Sequence, residues 1–133
     1  MNRIRSREVV MELMYQMEIH KLYDMPFMEK LLSHYEEELD KEYLSSTIET
    51  WLNHRDDVEA KINLNLKGWT LDRISKLDLS ILRVGITEIE YIDNIPKKVS
   101  INEAVNLAKK YVDEKSGKFI NGVLSQFAKE ELL

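Results

Sequence analysis

Three arginines at alternating positions, Arg3, Arg5 and Arg7, open this chain. A second set of cations lies toward the other end: Lys97, Lys98, Lys109, Lys110, Lys115 and Lys118. The last two stand beside Ser116, Gly117, Phe119 and Asn121. An arginine fork binds phosphate bidentately and stacks on unpaired bases, and lysines attract a polyanion as point charges. Free amides at a helix start add to that attraction, and an aromatic ring among them offers a platform for a single-stranded base. Taken singly, each cation is an ordinary solvated side chain and Phe119 an ordinary core residue. As groups, they suit contact with a nucleic acid. Cations at a helix N-terminus oppose the macrodipole, a cost that Glu8 and Glu12 can partly offset as helical partners.

Other chemistries lack their parts. His20, His34 and His54 fall on separate segments, with no HExxH-like ligand spacing. Ser45, Ser46 and Thr47 have no histidine in a nucleophile-elbow context. The chain has no cysteine, hence no thiol nucleophile, disulfide or Cys-based zinc site. No glycine-rich phosphate loop is present, and the run Glu36-Glu37-Glu38 with Asp40 reads as a solvated helix end. Neither a catalytic residue nor a metal or cofactor site is expected, and the chain reads as a non-enzyme.

A net charge of −5 argues against nucleic acid as a bulk number, but its distribution does not. Residues 24–60 carry eleven acidic side chains against Lys30, Lys41 and Arg55, a local −8 that leaves +3 on the remainder. Such a molecule can present a basic face to a polyanion while the acidic middle faces away. The apolar residues after the basic N-terminus are interrupted by Glu8, Glu12 and Gln16, unlike a secretory signal. Nothing approaches the roughly 20 apolar residues of a membrane span, and a cytoplasmic location is expected.

The elements that must position these residues are all helical. A length of 133 residues suits one domain, and Gly and Pro number only 4 and 2, too few for a turn-rich β-sandwich. Seven or eight helices are predicted. The first spans about Arg5 to Lys21, with Val9, Val10, Leu13, Met14 and Met17 on one face. Others run from Pro26 to Glu38, Lys41 to Asn53 and Arg55 to Leu66, with Lys67-Gly68 as an exit. Thr70 and Asp78 read as N-caps, giving a short helix from Leu71 to Leu77 and a longer one from Leu79 to Tyr91. Ser100 and Glu103 form a capping box for a helix ending near Val112. Asp113 to Gly117 turns the chain, and Lys118 to Leu132 closes it. The break near Gly68 divides the single domain, residues 1–133, into helical layers of about 1–67 and 68–133.

Three further residues carry expectations. Trp69 before the Thr70 cap suits a hydrophobic staple or core anchor. Arg83, on an apolar helix, needs a buried carboxylate, with Glu88 and Glu103 as candidates. Gly122 inside a helix costs roughly 1 kcal/mol, which close packing against another helix would explain.

Four blocks then bear on function. They are Ser6-Arg7-Glu8 leading to Met14-Tyr15-Gln16; Trp69 with Leu71-Asp72-Arg73-Ile74 and Ile81-Leu82-Arg83 through Glu88; Ile95-Pro96 through Ile101-Asn102-Glu103-Ala104 to Leu107-Ala108-Lys109; and Ser116 with Phe119-Ile120-Asn121-Gly122-Val123-Leu124. In this order, over most of the chain, they resemble the NusB family of bacterial transcription antitermination factors. The resemblance implies an all-α fold of two helical bundles and no catalysed reaction. It implies a partner, the small-subunit ribosomal protein NusE, and joint binding of the single-stranded boxA element of nascent ribosomal RNA leaders. It further implies loading onto the RNA polymerase elongation complex with other Nus factors.

By the same resemblance, Arg3, Arg5, Arg7 and Tyr15 fall on the RNA-contacting start of the chain. Phe119, with its neighbours Lys115, Lys118 and Asn121, falls on the C-terminal RNA-proximal segment. Ile4 interrupts an arginine run that is denser in some members, Lys115 stands where an acidic residue can occur, and Thr87 replaces a frequent tyrosine. The alternative is a NusB-like protein-interaction module that homodimerises and binds little RNA of its own.

Overall fold

A computed structural model of the protein describes residues 2–131. Among these residues the chain forms α1 (Arg3–His20), α2 (Met25–Leu32), α3 (Lys41–Asn53), α4 (Arg55–Leu64), a 3-10 turn (Leu71–Arg73), α5 (Lys76–Tyr91), α6 (Lys97–Tyr111) and α7 (Glu114–Glu131), with no strand. The all-helical class follows the three- and four-residue apolar spacing of the sequence. The predicted end of the last helix at Leu132 lies outside the described residues.

Every residue from Leu79 to Ile89 is buried, so α5 is enclosed on all sides, and α1, α3, α4, α6 and α7 pack around it. α1 supplies Val9, Val10, Leu13, Met14 and Met17, each at most 1% exposed. α3 adds Leu44, Ile48 and Trp51, and α7 adds Ile120, Val123, Leu124 and Phe127. One close approach fixes how α5 and α7 meet. A Cβ on Gly85 would lie 2.6 Å from Cδ1 of Leu124, so a larger residue there would force the Leu124 side chain to move.

Several boundaries move for identifiable reasons. α2 stops at Leu32 rather than Glu38, because Glu36, Glu37 and Glu38 would place like charge at the negative end of the dipole. α4 ends at Leu64, and the left-handed Lys67 (φ 47°) and Gly68 (φ 91°) turn the chain beyond it. Thr70 heads only the 3-10 turn. The cap of α5 is Ser75, whose side chain accepts from the Asp78 amide at 3.0 Å, so Asp78 lies inside the first turn and caps nothing.

The capping box at Ser100 does not form either. Pro96 (φ −58°) starts α6 four residues earlier, and Ser100 is buried inside the helix. α7 likewise begins at Glu114, its first turn held by the Asp113 carboxylate accepting from the Ser116 amide at 2.7 Å.

Gly122 corrects another expectation. Its Cβ position meets nothing within 4 Å. The inward stripe of α7 is Ile120, Val123, Leu124 and Phe127, which turns residue 122 outward. Trp69 is not a core anchor, being 53% exposed, whereas Trp51 is fully buried.

Two buried ion-pair clusters tie α1 to α5. Arg7 donates bidentately to Glu88, at 2.7 and 3.2 Å, with side chains 3% and 1% exposed. Glu88 also accepts from the Ser100 hydroxyl at 2.8 Å and from the Tyr43 hydroxyl. Arg83 donates instead to Glu18 at 2.8 Å and to Glu59 at 2.7 Å. Arg83 pairs with neither Glu88 nor Glu103: residues five apart on a helix point about 140° from each other, which turns Glu88 away, and Glu103 lies beside Arg7 at 3.7 Å. Burial disfavours a charged Glu18, but bonds from Lys21, Arg83 and Tyr23 outweigh it and hold the carboxyl down at about 2.

Candidate nucleic-acid interface

The two-residue link between α6 and α7 builds the first part of the surface. Gly117 allows the tight return, since a Cβ there would come within 2.9 Å of Lys109 Cγ. The first turns of α7 then face the 3-10 segment across a groove of about 240 Å³. It is lined by the half-buried Ile74 and Phe119 and by the exposed Val112, Trp69, Arg73 and Lys115. Trp69 and Phe119 meet edge to face, ring centroids 6.3 Å apart. Ser116 donates its hydroxyl to Asp78, which fixes the start of α7 to the start of α5. Trp69 is exposed and Phe119 half-buried, and Arg73 and Lys115 share the groove with Asp78 and Asp113; an open ring beside a cation can stack a base and meet its phosphate.

The second part is the N-terminal half of α1, reached from the groove along α6. Tyr111 donates to Glu12 at 2.6 Å, and Lys110 donates to Glu8 at 2.7 Å. Glu8 and Glu12 each also accept from Arg5, at 3.0 and 3.1 Å. Burial works against ionised Glu8, yet the bonds from Lys110 and Arg5 hold its carboxyl below the usual range. The spacing 8, 12, 15 puts Tyr15 on this same face of α1, and Tyr15 is half-buried.

The eight residues singled out from sequence therefore separate into groups. Lys115 and Phe119 line one groove, and Lys118 is exposed on the same helix. Asn121 is exposed farther along α7 and accepts from the Ser125 hydroxyl at 3.2 Å. Arg3 and Arg5 are partly exposed at the other end of the face. Arg3 pairs with Asp40 at 3.0 Å and lies over the Tyr43 ring, 4.4 Å from its centroid. Arg7 is turned inward, its guanidinium spent on Glu88.

Sequence reasoning missed Trp69 and Arg73 as parts of the surface. The signal was present: Trp69 follows a glycine in the polar run Lys67 to Thr70 and lacks periodic apolar partners. Among the described residues no group of acidic or histidine side chains is placed to hold a metal ion, and no helix is long and apolar enough to cross a membrane.

Comparison with known proteins bears on the family of the chain. Residues 4–129 match the NusB family. The chain is similar to the transcription antitermination protein NusB of Oceanobacillus iheyensis, with 43% identity over 95% of this chain and 98% of the relative. Its structure is similar to that of T. maritima NusB, with a TM-score of 0.87 and 32% identity over 98% of this chain and 92% of the other. It is also similar to a chain in a crystal structure of the antitermination factors NusB and NusE with double-stranded RNA. There the TM-score is 0.82 and the identity 26%, over 98% of this chain and 99% of the other. Coverage of nearly every residue on both sides leaves one conclusion: this chain belongs to the NusB family.

Proposed function

We infer that the protein is a transcription antitermination factor that works with the ribosomal protein NusE. Together they bind boxA-type single-stranded RNA of nascent ribosomal RNA leaders in the cytoplasm. They then join other Nus factors on the RNA polymerase elongation complex and favour read-through of terminators. The mechanism is assembly, with no bond made or broken by this chain.

The observation that carries this reading is the Trp69–Phe119 groove, which Arg73 and Lys115 also line. An exposed tryptophan beside cations matches what a splayed base and its phosphate need. Bases stack on Phe119 and Trp69; Lys115, Lys118 and Arg73 meet the backbone nearby, and Asn121 offers an amide beyond them. The strand continues past Tyr111 and Tyr15 toward Arg5 and Arg3. Arg7 contributes indirectly, by holding α1 on α5. A similar NusB chain has been crystallised with NusE and RNA, which supports both partners.

The test is a salt-titrated anisotropy measurement with boxA-type, scrambled and double-stranded RNAs, each with and without the NusE partner. Sequence-selective binding that strengthens with the partner is expected. No binding under any condition would favour a protein-interaction module, and solution mass would then show whether the chain homodimerises.

A further inference from the structure

Arg5 is partly exposed, and its side-chain hydrogen bonds divide into two kinds. Nη1 donates to Glu8 and Glu12, both on its own helix and both fixed by α6 through Lys110 and Tyr111. The opposite edge of the fork, Nε and Nη2, donates to the two oxygens of Glu37 at 3.1 and 2.9 Å. That edge presents two parallel N–H donors and can hold a phosphate bidentately. Glu37 comes from the non-helical segment after α2, and its side chain is 44% exposed.

The neighbouring pair behaves differently. Asp40 also meets an arginine, Arg3, but its side chain is only 5% exposed and it caps α3 by accepting from the Tyr43 amide at 3.2 Å. Asp40 is anchored, whereas Glu37 has no bond besides those to Arg5 among the side-chain hydrogen bonds of the described residues.

We propose that Glu37 is an internal competitor for RNA: its carboxylate occupies the phosphate seat of Arg5 and must be displaced when RNA binds. This rests on the reading of Arg5 as an RNA contact. Glu8, Glu12 and Glu37 surround one guanidinium, so with Lys110 on Glu8 the cluster carries a net −1. A phosphate meets repulsion there until Glu37 leaves, and neutrality afterwards. Glu8 and Glu12 keep Arg5 aimed outward during the exchange. The acidic segment thus lowers affinity at a chosen contact, not merely through overall charge.

The experiment measures binding of a short fluorescein-labelled boxA-type RNA to the full chain with the NusE partner. It compares the parent with Glu37→Gln, Glu36→Gln, Arg5→Gln and the double variant Arg5→Gln/Glu37→Gln. Glu36 is an exposed neighbour that reports the generic effect of removing one negative charge. Glu37→Gln is expected to tighten binding about 3- to 10-fold, and Glu36→Gln less than about 2-fold. In the Arg5→Gln background the Glu37→Gln gain should fall to the Glu36→Gln level. Equal gains from Glu36→Gln and Glu37→Gln, or a gain that survives loss of Arg5, would overturn the competitor role. If Arg5→Gln alone leaves binding unchanged, the contact itself fails, an outcome separable from the first two.

Discussion

Replacing Arg7 with methionine tests how this fold is held together. Arg7 and Glu88 are 3% and 1% exposed, joined by two hydrogen bonds at 2.7 and 3.2 Å. Removing the cation strands a carboxylate that water cannot reach. Breaking a buried pair in this way costs about 3–5 kcal/mol. Ser100 and Tyr43 still donate to Glu88, which favours the lower half of that range. For a domain whose whole stability is of order 5–15 kcal/mol, a loss of about 3 kcal/mol lowers the unfolding midpoint by roughly 10 °C.

Urea denaturation at pH 7 measures the loss directly, with an unchanged slope showing that the same surface unfolds. Arg7→Met/Glu88→Met should be less destabilised than Arg7→Met alone, since no charge is then stranded. A loss under about 1 kcal/mol for Arg7→Met would refute the reasoning. It would also free Arg7 for a direct part in RNA contact.

Other perturbations separate structure from binding. Gly122→Ala should raise stability by about 0.5–1 kcal/mol, because the position is helical and a Cβ meets nothing; a destabilised variant in thermal melts would place an unseen contact there. Phe119→Ala should weaken RNA binding by about 1–3 kcal/mol in anisotropy, and unchanged affinity would remove the ring from the interface. Acid stability follows from Glu18. Its folded value of about 2 lies below the ordinary 4.5, so its stabilisation is present above pH 4.5 and disappears as pH falls through 2. Glu18→Gln should flatten that part of a urea-midpoint profile against pH, and an identical profile would contradict the assignment.

How much could be read beforehand depends on the kind of interaction. α3 was legible to the residue, since Tyr43, Leu44, Ile48 and Trp51 repeat at helical spacing, although its cap Asp40, read as part of a solvated helix end, is buried. α2 was overextended because apolar spacing through Tyr35 looks helical, while the charge that ends the helix acts through the dipole. Caps were ambiguous for a similar reason. Ser75, Thr70 and Asp78 are all good N-cap residues, and only packing chooses among them. The partner of Arg83 was beyond local sequence, because Glu18 lies 65 residues away.

At the candidate interface, Lys115, Lys118 and Phe119 were legible as a helix-start cluster with an aromatic. Trp69 was not, because a large aromatic just before an N-cap candidate is ordinarily buried, and that expectation outweighed the polar run around it. The masking of Arg5 by Glu37 was also hidden, since a 32-residue separation carries no pattern.

The central claim is that RNA bases stack in the groove between Trp69 and Phe119, and tryptophan emission reads it most directly. Trp51 is fully buried and Trp69 is 53% exposed, so only Trp69 should respond to a stacked base. Titrating boxA-type RNA should quench the emission, and Trp69→Phe should abolish the quench while leaving the Trp51 signal intact. Saturable RNA binding with no change in emission, or a quench that persists in Trp69→Phe, would contradict the account and place the RNA elsewhere.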